Sequence, residues 1–179
     1  LVLMLVAAWG GDASSRVVNW LSVLTLALAG MALSTSLANG PDAFDGLVRA
    51  DAFSAFAKAL IYGAAAAAIL LAPRYFSTDG KERPEYPVLI LFSSIGMGMM
   101  VSAGDLLTLY VGLEMQSLAA YVLASFMRQD VRSSEAGLKY FVLGSLASGI
   151  LLYGASLLYG FTGTTSFDGI AIAMDDGVS

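Results

Sequence analysis

The chain has 179 residues, 58% hydrophobic and only 13% charged, with a mean hydropathy of +0.76 and a net charge of −5. Soluble domains carry about a quarter charged residues, so composition alone places this protein in a membrane. With no Cys and no His, it excludes disulfides, thiolate or imidazole zinc sites and His-based triads, and no basic tract points to nucleic acid.

The chain opens at Leu1 inside an apolar run, LVLMLVAAW. The run is too short to span and lacks the basic start and cleavage pattern of a signal peptide. Residues 1–10 are therefore expected to be the end of a spanning helix. Residues 17–38 are long enough to cross, with Trp20 at an interfacial position. Asn39-Gly40-Pro41 ends them with strong turn chemistry and begins an acidic loop over 39–51. A second complete span is expected over 52–72, closed by Pro73. Its alanine run, Ala64 to Ala68, offers a smooth face for a neighbouring helix.

A hydrophilic loop over 73–85 leads to a span over 86–103, which carries the small residues of SSIGMGMM. After a tight connection, residues 105–127 read DLLTLYVGLEMQSLAAYVLASFM, one hydrophobic helix length with Glu114 near its middle. Glu114 lies roughly 13 Å in from Asp105, about half way through a bilayer core. A loop over 128–134 precedes the last span, 135–161, for which Ser134 is the expected N-cap. Gly144/Ser148 and Ser145/Gly149 give that span two small-residue pairs suited to close helix packing. Residues 162–179 read as a loop with room for one surface helix. The chain is expected to be all-α, a polytopic transmembrane helix bundle, cut at both ends.

Loop charges give an orientation. Arg16, Arg74, Lys81, Arg83, Arg128 and Arg132 lie in loops on one side, and Arg49 alone on the other. The positive-inside rule assigns 73–85 and 128–134 to the cytoplasm, and 39–51 and 162–179 to the outside.

Three charged residues fall inside spans: Lys58, Glu114 and Lys139. A carboxylate at mid-membrane is expensive, and its ordinary role is functional, paired or facing a hydrated interior. Tyr110 and Ser117, at i−4 and i+3, give Glu114 a polar stripe. Lys139 stands one turn into its helix with Glu135 at i−4, which suits an ion pair or an amine reaching the headgroups. Glu114 and Lys139 would be offset by roughly 12 Å along the membrane normal, so a direct salt bridge is not expected. Separated acid and base groups of this kind suit a proton relay. Lys58, near the outer end of its helix, suits snorkelling or an accessory polar role.

At DLLTLYVGLEMQSLAAYVL and RSSEAGLKYFVLGSLASGILLYGASLLYGFTGTT the chain resembles one family. It is similar to subunit N of bacterial proton-pumping NADH–quinone oxidoreductase, respiratory complex I, an antiporter-like membrane subunit. The resemblance is clearest from about Glu85 to Thr165. It implies a fourteen-helix fold with inverted repeats, of which this chain holds the end of helix one and helices two to six. It implies that Glu114 is the fifth-helix proton-channel glutamate and that Lys139 is the lysine near the start of helix six. The remaining lysines of the family's hydrophilic axis would lie beyond Ser179.

The resemblance further implies no cofactor in this chain, with NADH, FMN, iron–sulfur clusters and quinone held by other subunits. Partners would be other membrane-arm subunits, membrane lipids and protons, in a bacterial inner membrane. A multi-subunit cation/proton antiporter sharing the fold, and a structural scaffold, are the alternative readings.

Overall fold

The computed structural model describes residues 2–10, 14–36, 44, 46–76 and 83–177. The expected turn at Asn39-Gly40-Pro41 and the loop residue Lys81 lie outside the described residues. Among the described residues seven helices follow one another: α1 Val2–Gly10, α2 Ser15–Ser36, α3 Ala52–Phe76, α4 Glu85–Val101, α5 Leu106–Ala124, α6 Val131–Thr162 and α7 Phe167–Asp176. Stretches of α2, α3, α5 and α6 (Ser15–Leu33, Ala52–Arg74, Leu106–Ala124 and Val131–Thr162) are long and apolar enough to cross a membrane. The chain is an all-helical, multi-pass membrane bundle. At 17 residues, α4 is shorter than the roughly 20 that a span ordinarily needs.

Local chemistry fixes the helix starts. The buried Asp105 caps α5, its carboxylate accepting from the backbone N–H groups of Leu107 at 3.3 Å and Thr108 at 2.9 Å. At the start of α3, Asp51 Oδ1 accepts from the Ser54 N–H at 2.7 Å while the Asp51 N–H donates to Ser54 Oγ at 3.2 Å. This reciprocal pair satisfies two otherwise orphaned donors. The Ser54 backbone bond, then the bond to its side chain, hold the Asp51 carboxyl below the usual aspartate value.

Helix boundaries shift by one to four residues from the sequence reading, and two of the shifts have a visible cause. The cap of α6 is Asp130, which accepts from the Arg132 N–H at 2.9 Å, and not Ser134. The helix therefore starts four residues before the expected 135, and the loop shortens to its first residues. Pro73 does not end α3, which runs on to Phe76. A proline here loses its own N–H bond and crowds the carbonyl four residues back, a cost that other contacts of the last turn must offset. Packing anchors that turn: the Phe76 ring centroid lies 5.2 Å from Tyr86 and 5.6 Å from Phe126.

Packing is centred on α4, which touches α1, α2, α3 and α5. Ala7, Val18 and Val88 form one buried cluster, and Leu26, Ala65 and Ile69 another. Lipid tails are as apolar as leucine, so helices here gain from close approach and not from escaping water. The α4–α5 crossing shows how close. A Cβ on Gly96 would stand 2.5 Å from the Gln116 backbone nitrogen and 2.7 Å from the Gly112 carbonyl oxygen. One on Gly112 would stand 2.8 Å from the Gly96 carbonyl oxygen.

The two ends of the bundle are tied differently. At the end opposite the arginine-rich loops, three connections are laced by backbone bonds. Arg49 N–H donates to the Ser102 carbonyl at 2.7 Å, and Gly104 N–H to Leu47 at 2.9 Å. Leu106 N–H donates to Thr165 at 3.0 Å, and Phe167 N–H to Gly104 at 3.1 Å. Antiparallel bridges pair Val48 with Ala103 and Asp105 with Ser166, and Arg49 forms an ion pair with Asp168 of α7. At the arginine-rich end, α3, α4 and the α5–α6 connection meet in the packed rings of Phe76, Tyr86 and Phe126.

Candidate proton-relay site

Glu114 sits on α5, eight residues beyond its first residue, Leu106. Its side chain turns toward α6, where Ser148 Oγ donates a short hydrogen bond to Glu114 Oε1. Ser148 Oγ also lies 2.9 Å from the hydroxyl of Tyr110. A serine hydroxyl carries one hydrogen. With that hydrogen given to the carboxylate, Tyr110 is the donor in the second bond. The order is Tyr110 to Ser148 to Glu114, spanning both helices and half-buried around the buried Ser148.

Small residues along α6 let α5 come this close. A Cβ on Gly137 would strike Ser125, and one on Gly144 would overlap the Tyr121 hydroxyl. Tyr121 packs edge-on against Tyr140 at 4.9 Å and Phe141 at 5.7 Å. Of the two small-residue pairs in the sequence, Gly144 and Ser148 face α5, whereas Gly149 meets nothing within 4 Å.

The other expected site residues are placed apart. Ser117 Oγ donates to the neighbouring Gln116 Oε1 at 3.4 Å and does not join Glu114. Lys139 Nζ donates to Glu135 Oε1 at 2.5 Å, and both side chains are exposed, at 70% and 58%. Lys139 precedes Ser148 by nine residues, roughly 13 Å along α6, so it does not reach the carboxylate. Lys58 lies on the far side of α4, half-buried beside Gly98 and near Tyr62.

Ser148 is the residue that sequence reasoning missed as a partner. It stood out only as a small residue four positions after Gly144, and its hydroxyl at that register was the available signal. A cavity of about 490 Å³ opens along the same seam between Leu106, Leu107, Leu152, Ser156, Tyr159 and Thr165. Another, of about 760 Å³, lies at the arginine-rich end by Phe76, Tyr86, Phe126 and Arg132, away from Glu114. No group of three or more Asp or Glu side chains able to hold a metal occurs among the described residues.

The chain's similarities agree with this architecture. Residues 103–179 match the family described as NADH:quinone oxidoreductase/Mrp antiporter, transmembrane. The chain is 65% identical to NADH-quinone oxidoreductase subunit N of Rhizorhabdus wittichii over 99% of its length and 37% of that protein's. It is 55% identical to the same subunit of Erythrobacter litoralis, over 100% of this chain and 38% of that one. It thus spans well under half the length of the curated relatives it matches. Respiratory complex I from Thermus thermophilus contains a chain of like fold, with a TM-score of 0.72 and 31% identity over 97% of this chain and 39% of that one. An archaeal membrane-bound sulfane sulfur reductase shares the fold alone, with a TM-score of 0.74 and 23% identity over 96% of this chain and 38% of that one. By sequence and by fold, the chain belongs to the antiporter-like membrane subunits represented by NADH-quinone oxidoreductase subunit N.

Proposed function

We propose that this chain serves in the membrane arm of a proton-translocating NADH–quinone oxidoreductase, in a bacterial inner membrane. There Glu114 takes up and releases protons in step with quinone reduction elsewhere in the complex. The observation that carries this reading is a carboxylate at mid-helix, hydrogen-bonded across a helix seam and without an ion pair among the described residues. An ionisable side chain within a membrane span is costly to keep, and its ordinary use is in an ion or proton pathway. The ion-paired Glu135 and Lys139, toward the arginine-rich end of α6, form a second station of the relay, with Lys58 as an accessory polar residue.

The arginine-rich end faces the cytoplasm, by the bias of its loops. NADH, FMN, iron–sulfur clusters and quinone belong to other subunits. The partners are those membrane-arm subunits, lipids and protons. The matched family also covers cation/proton antiporters, but relatives at 48–65% identity are all named as subunit N, which favours the oxidoreductase.

Glu114→Gln in the intact complex tests the reading, because it keeps size and hydrogen bonding but removes the exchangeable charge. The complex is expected to assemble with its redox centres and lose proton pumping. Full pumping in the assembled variant would leave α5 as scaffold.

A further inference from the structure

We infer that α2 and α3 form, at the arginine-rich end, a site for the headgroup of a phosphatidylglycerol-type lipid, an anionic phosphodiester that carries free hydroxyls. A cavity of about 250 Å³ opens there, lined by Arg16, Asn19 and Trp20 of α2 and by Ile69, Leu70 and Pro73 of α3. The three α2 residues stand at i, i+3 and i+4. One face of the first turns therefore presents a guanidinium, a carboxamide and an indole N–H together. Arg16 and Trp20 are exposed, and Asn19 is half-buried.

Depth selects a lipid over a soluble anion. Ser15–Leu33 and Ala52–Arg74 are apolar stretches of span length, and the cavity sits where the first begins and the second ends. That is the boundary between headgroups and hydrocarbon, the level at which tryptophan rings ordinarily sit. Toward mid-membrane the face of Arg16 and Trp20 continues into Leu24 and Leu28, each more than half exposed, a track for an acyl chain. A free phosphate has use for the arginine but not for the track.

Charge selects the kind of headgroup. Arg16 carries the only formal charge in the described lining, and its paired N–H donors match the two free oxygens of a phosphodiester. The indole N–H of Trp20 donates and cannot accept, so it serves the same anion. An ethanolamine headgroup would bring an ammonium to a described lining without a carboxylate. A glycerol headgroup brings hydroxyls instead, and α3 offers them an acceptor. Pro73 has no N–H to give the Ile69 carbonyl four residues back, and both residues line the cavity.

The test uses the intact complex in phosphatidylcholine vesicles doped with phosphatidylglycerol that carries a diazirine high in one acyl chain. Light expels dinitrogen, and the carbene left behind inserts into a neighbouring C–H bond, which peptide mass spectrometry locates. Labelling is expected on α2 between Arg16 and Leu24 and on the facing turn of α3. Unlabelled phosphatidylglycerol should compete it away, while phosphatidylethanolamine and inorganic phosphate should not. Arg16→Gln is expected to cut the labelling about fivefold, the worth of one arginine at an anionic lipid surface. Arg16→Lys should keep most of it, and Trp20→Phe should lower it by less than Arg16→Gln.

Unchanged labelling in Arg16→Gln overturns the inference. Equal competition by phosphatidylethanolamine, or displacement by inorganic phosphate, overturns it too. So does a wild-type complex without labelling on α2 and α3, the result if other helices of the complex cover this face. Should Arg16→Gln fail to assemble, unchanged labelling in Trp20→Phe overturns it instead. The readout is independent of Glu114 and of pumping.

Discussion

Gly96 of α4 and Gly112 of α5 cross with no side chain between them, and each would drive a Cβ into the other's backbone carbonyl. The obstructing atoms are main chain, so they cannot swing aside. Gly96→Ala is expected to cost about 1–3 kcal/mol through forced separation of the helices. The measurement is thermal unfolding of the solubilised protein, with membrane assembly as a second readout. Wild-type stability in Gly96→Ala would show that the helices have room to part.

The two small-residue registers of α6 are expected to differ sharply. Gly144→Leu must displace Tyr121, and with it the edge-on packing on Tyr140 and Phe141. Gly149→Leu enters open space. Assembly should therefore fall in the first variant and hold in the second. Equal yields of assembled protein would place both glycines outside the α5–α6 contact.

Asp51 gives a prediction in pH. Its carboxyl is held below the usual aspartate value by the Ser54 N–H and hydroxyl. A depressed value in the fold means the carboxylate's contribution is complete above the unfolded value, near pH 4, and fades as pH falls through the lower folded value. The first turn of α3 should thus be equally firm from pH 5 to 8. Asp51→Ala should loosen it by about 1 kcal/mol at neutral pH. Amide exchange at Ser54, corrected for the intrinsic rate, is the observable, and unchanged protection in Asp51→Ala would refute the cap.

The orientation is testable because the chain has no cysteine. Single cysteines at Arg83 and Arg132 are expected to react only from the cytoplasm, and one at Thr165 only from outside. Labelling of position 83 in intact cells by an impermeant reagent would invert the assignment.

The helical bundle and the mid-helix carboxylate were legible because both are written in runs of residues. An apolar stretch of span length needs no partner to be recognised, and Glu114 stands alone within one. The start of α6 was harder to place. RQDVRSSE offers several capping side chains, and apolar content rises only after them, so Asp130 and Ser134 look equivalent until the backbone bond to Arg132 is seen. Pro73 misled because its penalty was offset by ring packing between residues distant in sequence. Ser148 and Ser117 show the same limit at the site. Ser117 is near Glu114 in sequence yet bonds Gln116, while Ser148 is 34 residues away and bonds the carboxylate. Helical spacing ranks neighbours on one cylinder and is blind to which face the next cylinder covers.

The lacing of three connections at the Arg49 end has a mechanical consequence. Backbone bonds between Leu47, Arg49, Ser102, Gly104, Leu106, Thr165 and Phe167 make that end a pivot. From there α6 extends 32 residues, a lever of about 48 Å. One degree of tilt about the pivot carries its far tip by about 0.8 Å, and Ser148, less than half way along, by less than half of that. Any push delivered at the arginine-rich end therefore arrives at Glu114 geared down, as a sub-ångström change in one hydrogen bond.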